Sequence, residues 1–263
     1  TALLALGDYA WGFAEYEWRR GRKDFIASPT DVPIWRGEPM LGGSILLIHE
    51  QGLGDSIQFC RYAPLLAPTA KVIVHVPKEL QRLLRSLPDV QIETFEKDQR
   101  IGRVDAQCPM LSLPLLFGTQ VGSIPSKVPY LFANPTEIDA WRRRLGVLPG
   151  RKVGLVWGGS PRPDQPDAAR VDARRSMRLT ELSPLAEIVG ITFMSLQKGV
   201  PSDQIVSTAH GLPIVDWTDE LHDFADTAAL IEALDLTICV DTSVVHLVGA
   251  LGKPVWKIGR AHV

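Results

Sequence analysis

An unbroken apolar run, Ser44-Ile45-Leu46-Leu47-Ile48, stops at the polar turn His49-Glu50-Gln51-Gly52-Leu53-Gly54 and passes into a segment of helical periodicity beginning near Asp55. A strand that is apolar at every position is buried on both faces, and one that feeds a helix through a glycine turn belongs to a parallel sheet covered by helices. This stretch sets the expectation for the whole chain. The same alternation recurs, with strands expected at 45–49, 71–76, 90–95 and about 104–108 and helices at 55–67 and 78–87. After a helix containing Trp141-Arg142-Arg143-Arg144, the breaker-rich link Gly146-Val147-Leu148-Pro149-Gly150 marks a boundary. The pattern then restarts: strand 152–157, a long polar loop 158–177, helix 180–189, strand 191–196, loop 197–204, strand 213–216, helix 223–234, strand 235–240, helix 242–251 and strand 254–258. Repeated strand–helix alternation means parallel sheets wound by right-handed crossovers. The expected fold is α/β, with two Rossmann-like domains at 44–148 and 149–263 facing across a cleft, preceded by a helix and connector at 1–43.

The chain of 263 residues, 45% hydrophobic and 22% charged, is long enough for one large core or two modest ones. A formal net charge of −2 gives no general attraction for nucleic acid or anionic lipid, so no nucleic-acid partner is expected. No apolar run approaches the roughly 20 residues that span a bilayer, and no signal peptide is evident, which makes the cytoplasm the expected compartment. Cys60, Cys108 and Cys239 each lie in an apolar stretch without a Cys-x-x-Cys spacing, so buried thiols are expected, not a disulfide or metal site. Both ends read as cut: the chain opens in the middle of a helix and closes, at Lys257 to Val263, after a strand without a following helix. Within residues 3–20, Tyr9, Phe13 and Tyr16 share one helical face, and Glu15 and Arg19 are spaced as an i, i+4 pair. That helix either docks on the neighbouring domain or ends a helical repeat array. Trp35 is the single large anchor of the connector at 21–43.

Candidate chemistry gathers at the carboxyl ends of strands, where open α/β sheets hold their ligands. Asp241-Thr242-Ser243-Val244-Val245-His246 follows a strand directly, so Thr242 and Ser243 fall at a helix N-terminus whose N–H groups suit a phosphate. Asp241 is either part of that site or a plain N-cap, and His246 lies one turn further on. Lys198, in Ser195-Leu196-Gln197-Lys198-Gly199, either places a point charge on a diphosphate or is simply solvated. Trp157-Gly158-Gly159-Ser160 allows close backbone approach at another strand end, making Ser160 a further donor-side candidate. Arg162, Arg170, Arg174, Arg175 and Arg178, among Asp164, Asp167 and Asp172, either close over an anion or form a solvated loop. Asp226 and Thr227 open a helix, either as caps or as contacts to a ribose or base. No Gly-x-Gly-x-x-Gly, P-loop, Gly-x-Ser-x-Gly or His-Glu-x-x-His occurs, nor an Asp-x-Asp that would carry a metal between phosphates. A diphosphate here is therefore expected to be neutralised by protein donors, with no metal cofactor.

Together, Glu50-Gln51-Gly52-Leu53-Gly54-Asp55 after an early strand and Asp241-Thr242-x-x-x-His246 after a late one resemble the ADP-heptose:lipopolysaccharide heptosyltransferase family, which has the glycosyltransferase B fold. The chain is similar to a bacterial group in which tetratricopeptide repeats precede such a region. The cues are Leu6-Gly7-Asp8-Tyr9 with Tyr16-Glu17-Trp18-Arg19, then Gln58-Phe59-Cys60-Arg61-Tyr62, Val128-Pro129-Tyr130-Leu131, Gly154-Leu155-Val156-Trp157, Ser195-Leu196-Gln197-Lys198-Gly199 and Asp223-Phe224-Ala225-Asp226-Thr227-Ala228. The resemblance implies an inverting, metal-independent transfer of a sugar from a nucleotide diphosphate sugar to a hydroxyl acceptor, whether glycan, lipid-linked sugar or protein. It implies Asp55 as general base, the alternative being a helix cap. Gln51, Gly52 and Gly54 line the acceptor-side loop, Lys198 and Thr242 contact phosphate with Ser243 beside them, and Asp241 contacts the donor. Helical repeats imply a protein partner. Proteins of this kind continue beyond Pro254-Val255-Trp256, so the resemblance also implies a truncated donor domain. Two departures, Ser56-Ile57 after Asp55 and Gly158-Gly159-Ser160 after the second domain's first strand, leave the sugar and acceptor open. The other class compatible with these residues is a non-catalytic nucleotide-binding or scaffold module attached to the repeats.

Overall fold

The computed structural model describes residues 2–22, 25, 31–94, 103–161, 164, 166–206 and 211–259. They form two compact units, Thr1–Leu131 and Phe132–Val263.

The first unit opens with α1 (Ala2–Ala5) and α2 (Tyr9–Tyr16), followed by a 3₁₀ turn over Glu17–Gly21. The single helix expected over 3–20 is broken at Gly7, whose φ of +81° is left-handed, and restarts where the Asp8 side chain caps the Trp11 N–H. Then come β1 (Ser44–Ile48), α3 (Leu53–Phe59), α4 (Ala63–Leu66), β2 (Lys71–His75), α5 (Lys78–Leu84), β3 (Val90–Glu93), β4 (Ala106–Pro109) and α6 (Leu113–Leu116). The helix expected over 55–67 is thus split by a 3₁₀ turn at Cys60–Tyr62, and Pro64, which has no N–H to donate, sits in the first turn of α4. The four strands are parallel in the order β3-β2-β1-β4. Ile45, Leu46 and Leu47 are fully buried, as a strand covered on both faces requires. The connector adds a parallel bridge from Ile34 to Gln107, and Trp35 is buried with its indole N–H donating to the Glu38 carbonyl at 2.7 Å.

The second unit holds α7 (Pro135–Leu145), β5 (Arg151–Val156), α8 (Pro166–Arg175), β6 (Ile191–Ser195), β7 (Ile214–Val215), α9 (Phe224–Glu232), β8 (Leu236–Val240), α10 (Ser243–Ala250) and β9 (Val255–Ile258). Its sheet is parallel in the order β7-β6-β5-β8-β9. The division between units falls at Leu131/Phe132 and not at the 146–150 link, because α7 packs on α9. Trp141 of α7 stacks on Trp217 with centroids 5.9 Å apart, and Arg144 lies 3.8 Å over the Trp217 ring while pairing with Glu220. The loop expected at 158–177 contains α8, and the helix expected over 180–189 is a 3₁₀ run, Leu179–Glu187, with Pro184 inside it. All three cysteines are free and buried, as expected. Among the described residues, no helix is long and apolar enough to cross a membrane.

The sequence pairs Arg19 with Glu15; the structure does not. Arg19, only 6% exposed, turns inward and binds Glu50 in bidentate fashion, Nε to Oε2 at 2.9 Å and Nη2 to Oε1 at 2.8 Å. Its Nη1 donates to Glu17 at 2.6 Å and to the Tyr16 carbonyl at 3.1 Å, and Nη2 also donates to Ser112 Oγ at 2.8 Å. Glu15 stays exposed, because an i, i+4 surface pair is worth only about 0.3–0.5 kcal/mol against a fully hydrogen-bonded buried one. We expect Arg19→Met alone to destabilise the first unit by about 3–5 kcal/mol, since it strands the buried Glu50 carboxylate. Arg19→Met with Glu50→Leu should cost well short of the summed single losses, read by urea unfolding; additive losses would show the two side chains to be uncoupled.

Candidate functional site

In the first unit, the carboxyl end of β1 is a closely tied turn. His49, buried, has Nδ1 2.5 Å from Ser56 Oγ on α3, and its backbone N–H donates to the His75 carbonyl. Burial pushes the His49 imidazole below its usual range, and burial with the neighbouring His49 lowers His75 to about 4. Both rings are therefore neutral at pH 7. Glu50 accepts the Leu111 N–H at 2.9 Å as well as both Arg19 donors. Gln51 takes a left-handed φ of +61°, unusual without glycine, and its side-chain amide meets the Tyr16 hydroxyl. Gly52 is the N-cap of α3, and Asp55, half-buried at the third helical position, accepts the Gly52 N–H through Oδ2 at 2.9 Å. Asp55 is thus not the N-cap itself but the third-position carboxylate of a capping box. Gly54, expected in the loop, lies in the first turn of α3, which starts at Leu53.

In the second unit, the sequence-selected residues converge on the carboxyl edge of one sheet. The turn after β5 is stapled to the turn after β6 by Gln197, a residue singled out for no role by sequence. Its buried Oε1 accepts the Trp157 and Gly158 N–H groups at 3.0 and 2.8 Å, and its Nε2 donates to the carbonyls of Gly158 and Lys198. Gly159 donates to Ser176 Oγ at 2.9 Å, and a Cβ at Gly159 would lie 1.9 Å from Asp172 Oδ1. Ser160 follows, exposed. Lys198, next to Gln197, donates from Nζ to the Thr218 carbonyl at 2.6 Å.

After β8, Thr242 and not Asp241 is the N-cap of α10, with Ser243 the first helical residue and His246 half-buried one turn on. Thr242 makes no side-chain capping bond, and its Oγ1 is buried without a hydrogen-bond partner among the described residues. Such an atom costs stability unless something else satisfies it. Asp241, half-buried, pairs with Lys257 at 3.2 Å. Asp226 acts as a cap: its Oδ2 accepts the His222 and Asp223 N–H groups at 2.8 and 3.4 Å, while Asp223 accepts from Ala225 and Asp226. Thr227 Oγ1 donates back to the Asp223 carbonyl. Of the arginines expected around 158–177, Arg175 pairs with the buried Asp172 at 3.0 Å, and Arg162 lies outside the described residues.

No protein-family model matches the chain. It is 27% identical over 295 aligned positions to protein FlbA of Caulobacter vibrioides, an alignment covering 99% of this chain and 47% of that protein; the chain thus spans about half the length of this relative. Among solved structures it is similar to E. coli ADP-heptose lps heptosyltransferase II, with a TM-score of 0.56, 15% identity and coverage of 81% of this chain and 84% of that one. It is also similar to a glycosyl transferase family 9 protein from Veillonella parvula, with a TM-score of 0.60, 10% identity and coverage of 85% and 82%. At such identities the likeness is one of fold. The chain has the α/β architecture, with parallel sheets, of glycosyltransferase B-type proteins.

Gly159→Ala should destabilise the second unit by about 1–3 kcal/mol, because the new methyl displaces the Asp172 carboxylate from Ser176 and Arg175. Chemical denaturation checks this, and Ser160→Ala serves as the control that should stay within about 0.5 kcal/mol.

Proposed function

We propose that the protein is a glycosyltransferase that moves a sugar from a nucleotide diphosphate sugar to a hydroxyl acceptor, with inversion and without a metal. The observation that carries this reading is the convergence, on one sheet edge, of two strand-end turns, the one after β6 bearing a lysine and the one after β8 bearing a helix N-terminus with the buried Thr242 hydroxyl, unpartnered among the described residues. A helix N-terminus attracts phosphate through its free N–H groups and its dipole, and a lysine adds a point charge. The donor diphosphate is held by Lys198, Thr242 and Ser243, with Asp241, His246, Ser160 and Asp226 around the sugar and nucleoside. Lys198 exchanges the Thr218 carbonyl for phosphate oxygen when the donor binds.

In the reaction, the acceptor oxygen forms a bond to the anomeric carbon while the bond from that carbon to the diphosphate oxygen breaks. The leaving nucleoside diphosphate keeps the electron pair, and the acceptor proton passes to the Asp55 carboxylate, which activates the nucleophile as a general base. Inversion follows from a single displacement. The acceptor remains a glycan, a lipid-linked sugar or a protein hydroxyl. The N-terminal helices are read as repeat-derived, with a protein partner at repeats of the same kind, and the compartment as the cytoplasm. One observation favours the other class, a nucleotide-binding module without turnover: the Asp55 carboxylate already accepts the N–H of Gly52, the N-cap of α3.

The two readings separate on Asp55→Asn. Under the enzymatic reading this change lowers nucleoside diphosphate release by about 10²–10⁴-fold while donor affinity stays within a few-fold, since a base acts in the transition state. Lys198→Ala should weaken nucleoside diphosphate binding by about 10-fold or more in calorimetry, the loss of one charge-assisted contact. Unchanged turnover in Asp55→Asn would remove the base assignment, and nucleotide binding with no turnover in the wild type would favour the binding module.

A further inference from the structure

The turn that carries Asp55 is not held by its own sheet alone. The segment Tyr16–Gly21 lies outside the sheet and reaches the turn at two consecutive residues. Arg19 grips Glu50, and three residues earlier the Tyr16 hydroxyl lies 2.8 Å from Gln51 Nε2 and 3.1 Å from Gln51 Oε1. Gln51 is the residue in the left-handed region. A non-glycine residue stays there only where its surroundings over-determine it. Those surroundings are Glu50, fixed by Arg19 and the Leu111 N–H; Gly52, fixed by Asp55; and Tyr16, which alone among these contacts holds the Gln51 side chain. We infer that Tyr16 is a positioning residue of the acceptor site, holding Gln51 in its strained conformation and thereby fixing the backbone from which Asp55 is presented to the acceptor hydroxyl.

The inference rests on the reading of Asp55 as base. It adds that the acceptor-side surface is built jointly by the N-terminal helical segment and the β1–α3 turn. Burial raises the Tyr16 phenol above its usual range; the nearby Asp55 and Glu50 carboxylates push the same way, against Gln51 and Arg19. The hydroxyl thus stays protonated and able to donate at any pH where a carboxylate base works. The Arg19 guanidinium lies 4.9 Å from the centre of the Tyr16 ring, so the ring has its own anchor when the hydroxyl is deleted.

Tyr16→Phe therefore isolates the hydroxyl. Two measurements on the whole chain test the inference: amide hydrogen exchange at residues 51–55, and nucleoside diphosphate release with ADP-, UDP- and GDP-linked hexoses as probes. Losing the hydroxyl's contacts with the Gln51 amide should speed exchange at 51–55 by about five- to tenfold, leaving β2 and α5 unchanged. It should lower kcat by a similar factor of about five to ten while KM for the sugar nucleotide stays within about twofold. Unchanged exchange at 51–55 overturns the inference, as does a rise in KM equal to the loss in kcat, which would mean general damage. Full turnover in Asp55→Asn, or no turnover of any probe, instead sinks the assignment of the base; the exchange measurement then still decides whether Tyr16 holds the turn.

Discussion

A guanidinium removed from water is tolerated only when every donor finds an acceptor, and Arg19 meets that condition with Glu50, Glu17, Ser112 and the Tyr16 carbonyl. This network ties three separate stretches together: the N-terminal segment, the turn after β1 and the turn after β4. Those last two turns flank the point at which the order of the first sheet reverses, the place where parallel sheets leave a crevice. The conformation of the β1–α3 turn, and with it the position of Asp55, follows from how Glu50 is held.

The second unit solves the same problem without charge. Backbone N–H groups at the end of β5 would be orphaned where the chain leaves the sheet, and the Gln197 amide accepts two of them while donating to two carbonyls. Trp157, fully buried below this staple, keeps the turn against the core. By contrast, Thr242 Oγ1 at the N-cap of α10 is buried and has no hydrogen-bond partner among the described residues. Under the proposed function, this hydroxyl is the group that a donor phosphate would satisfy.

The parallel sheets were legible because their strands are continuous apolar runs of strand length, as in Ser44–Ile48 and Leu236–Val240, and periodicity reports that directly. Helix ends were less so. Gly7, Pro64 and Pro184 each break or tighten a helix that spacing alone continues, and α8 has a mean polarity that reads as loop. Asp55, Thr242 and Lys198 stood out as candidates because each lies in, or at the end of, a turn that follows a strand. Arg19–Glu50, Tyr16–Gln51 and Gln197 did not, since their partners lie 31, 35 and about 40 residues away, and no local pattern encodes pairing at that range.

The central proposal is that the carboxyl edge of the second sheet binds a nucleoside diphosphate, with the Thr242 hydroxyl donating to a phosphate oxygen. Isothermal titration of ADP, UDP and GDP into the wild type and into Thr242→Val tests it most directly. The account predicts that at least one of the three binds the wild type, and that the valine variant, which keeps the shape and removes the hydroxyl, binds it about tenfold or more weakly. Absence of binding by all three, or equal affinity in both proteins, would contradict it.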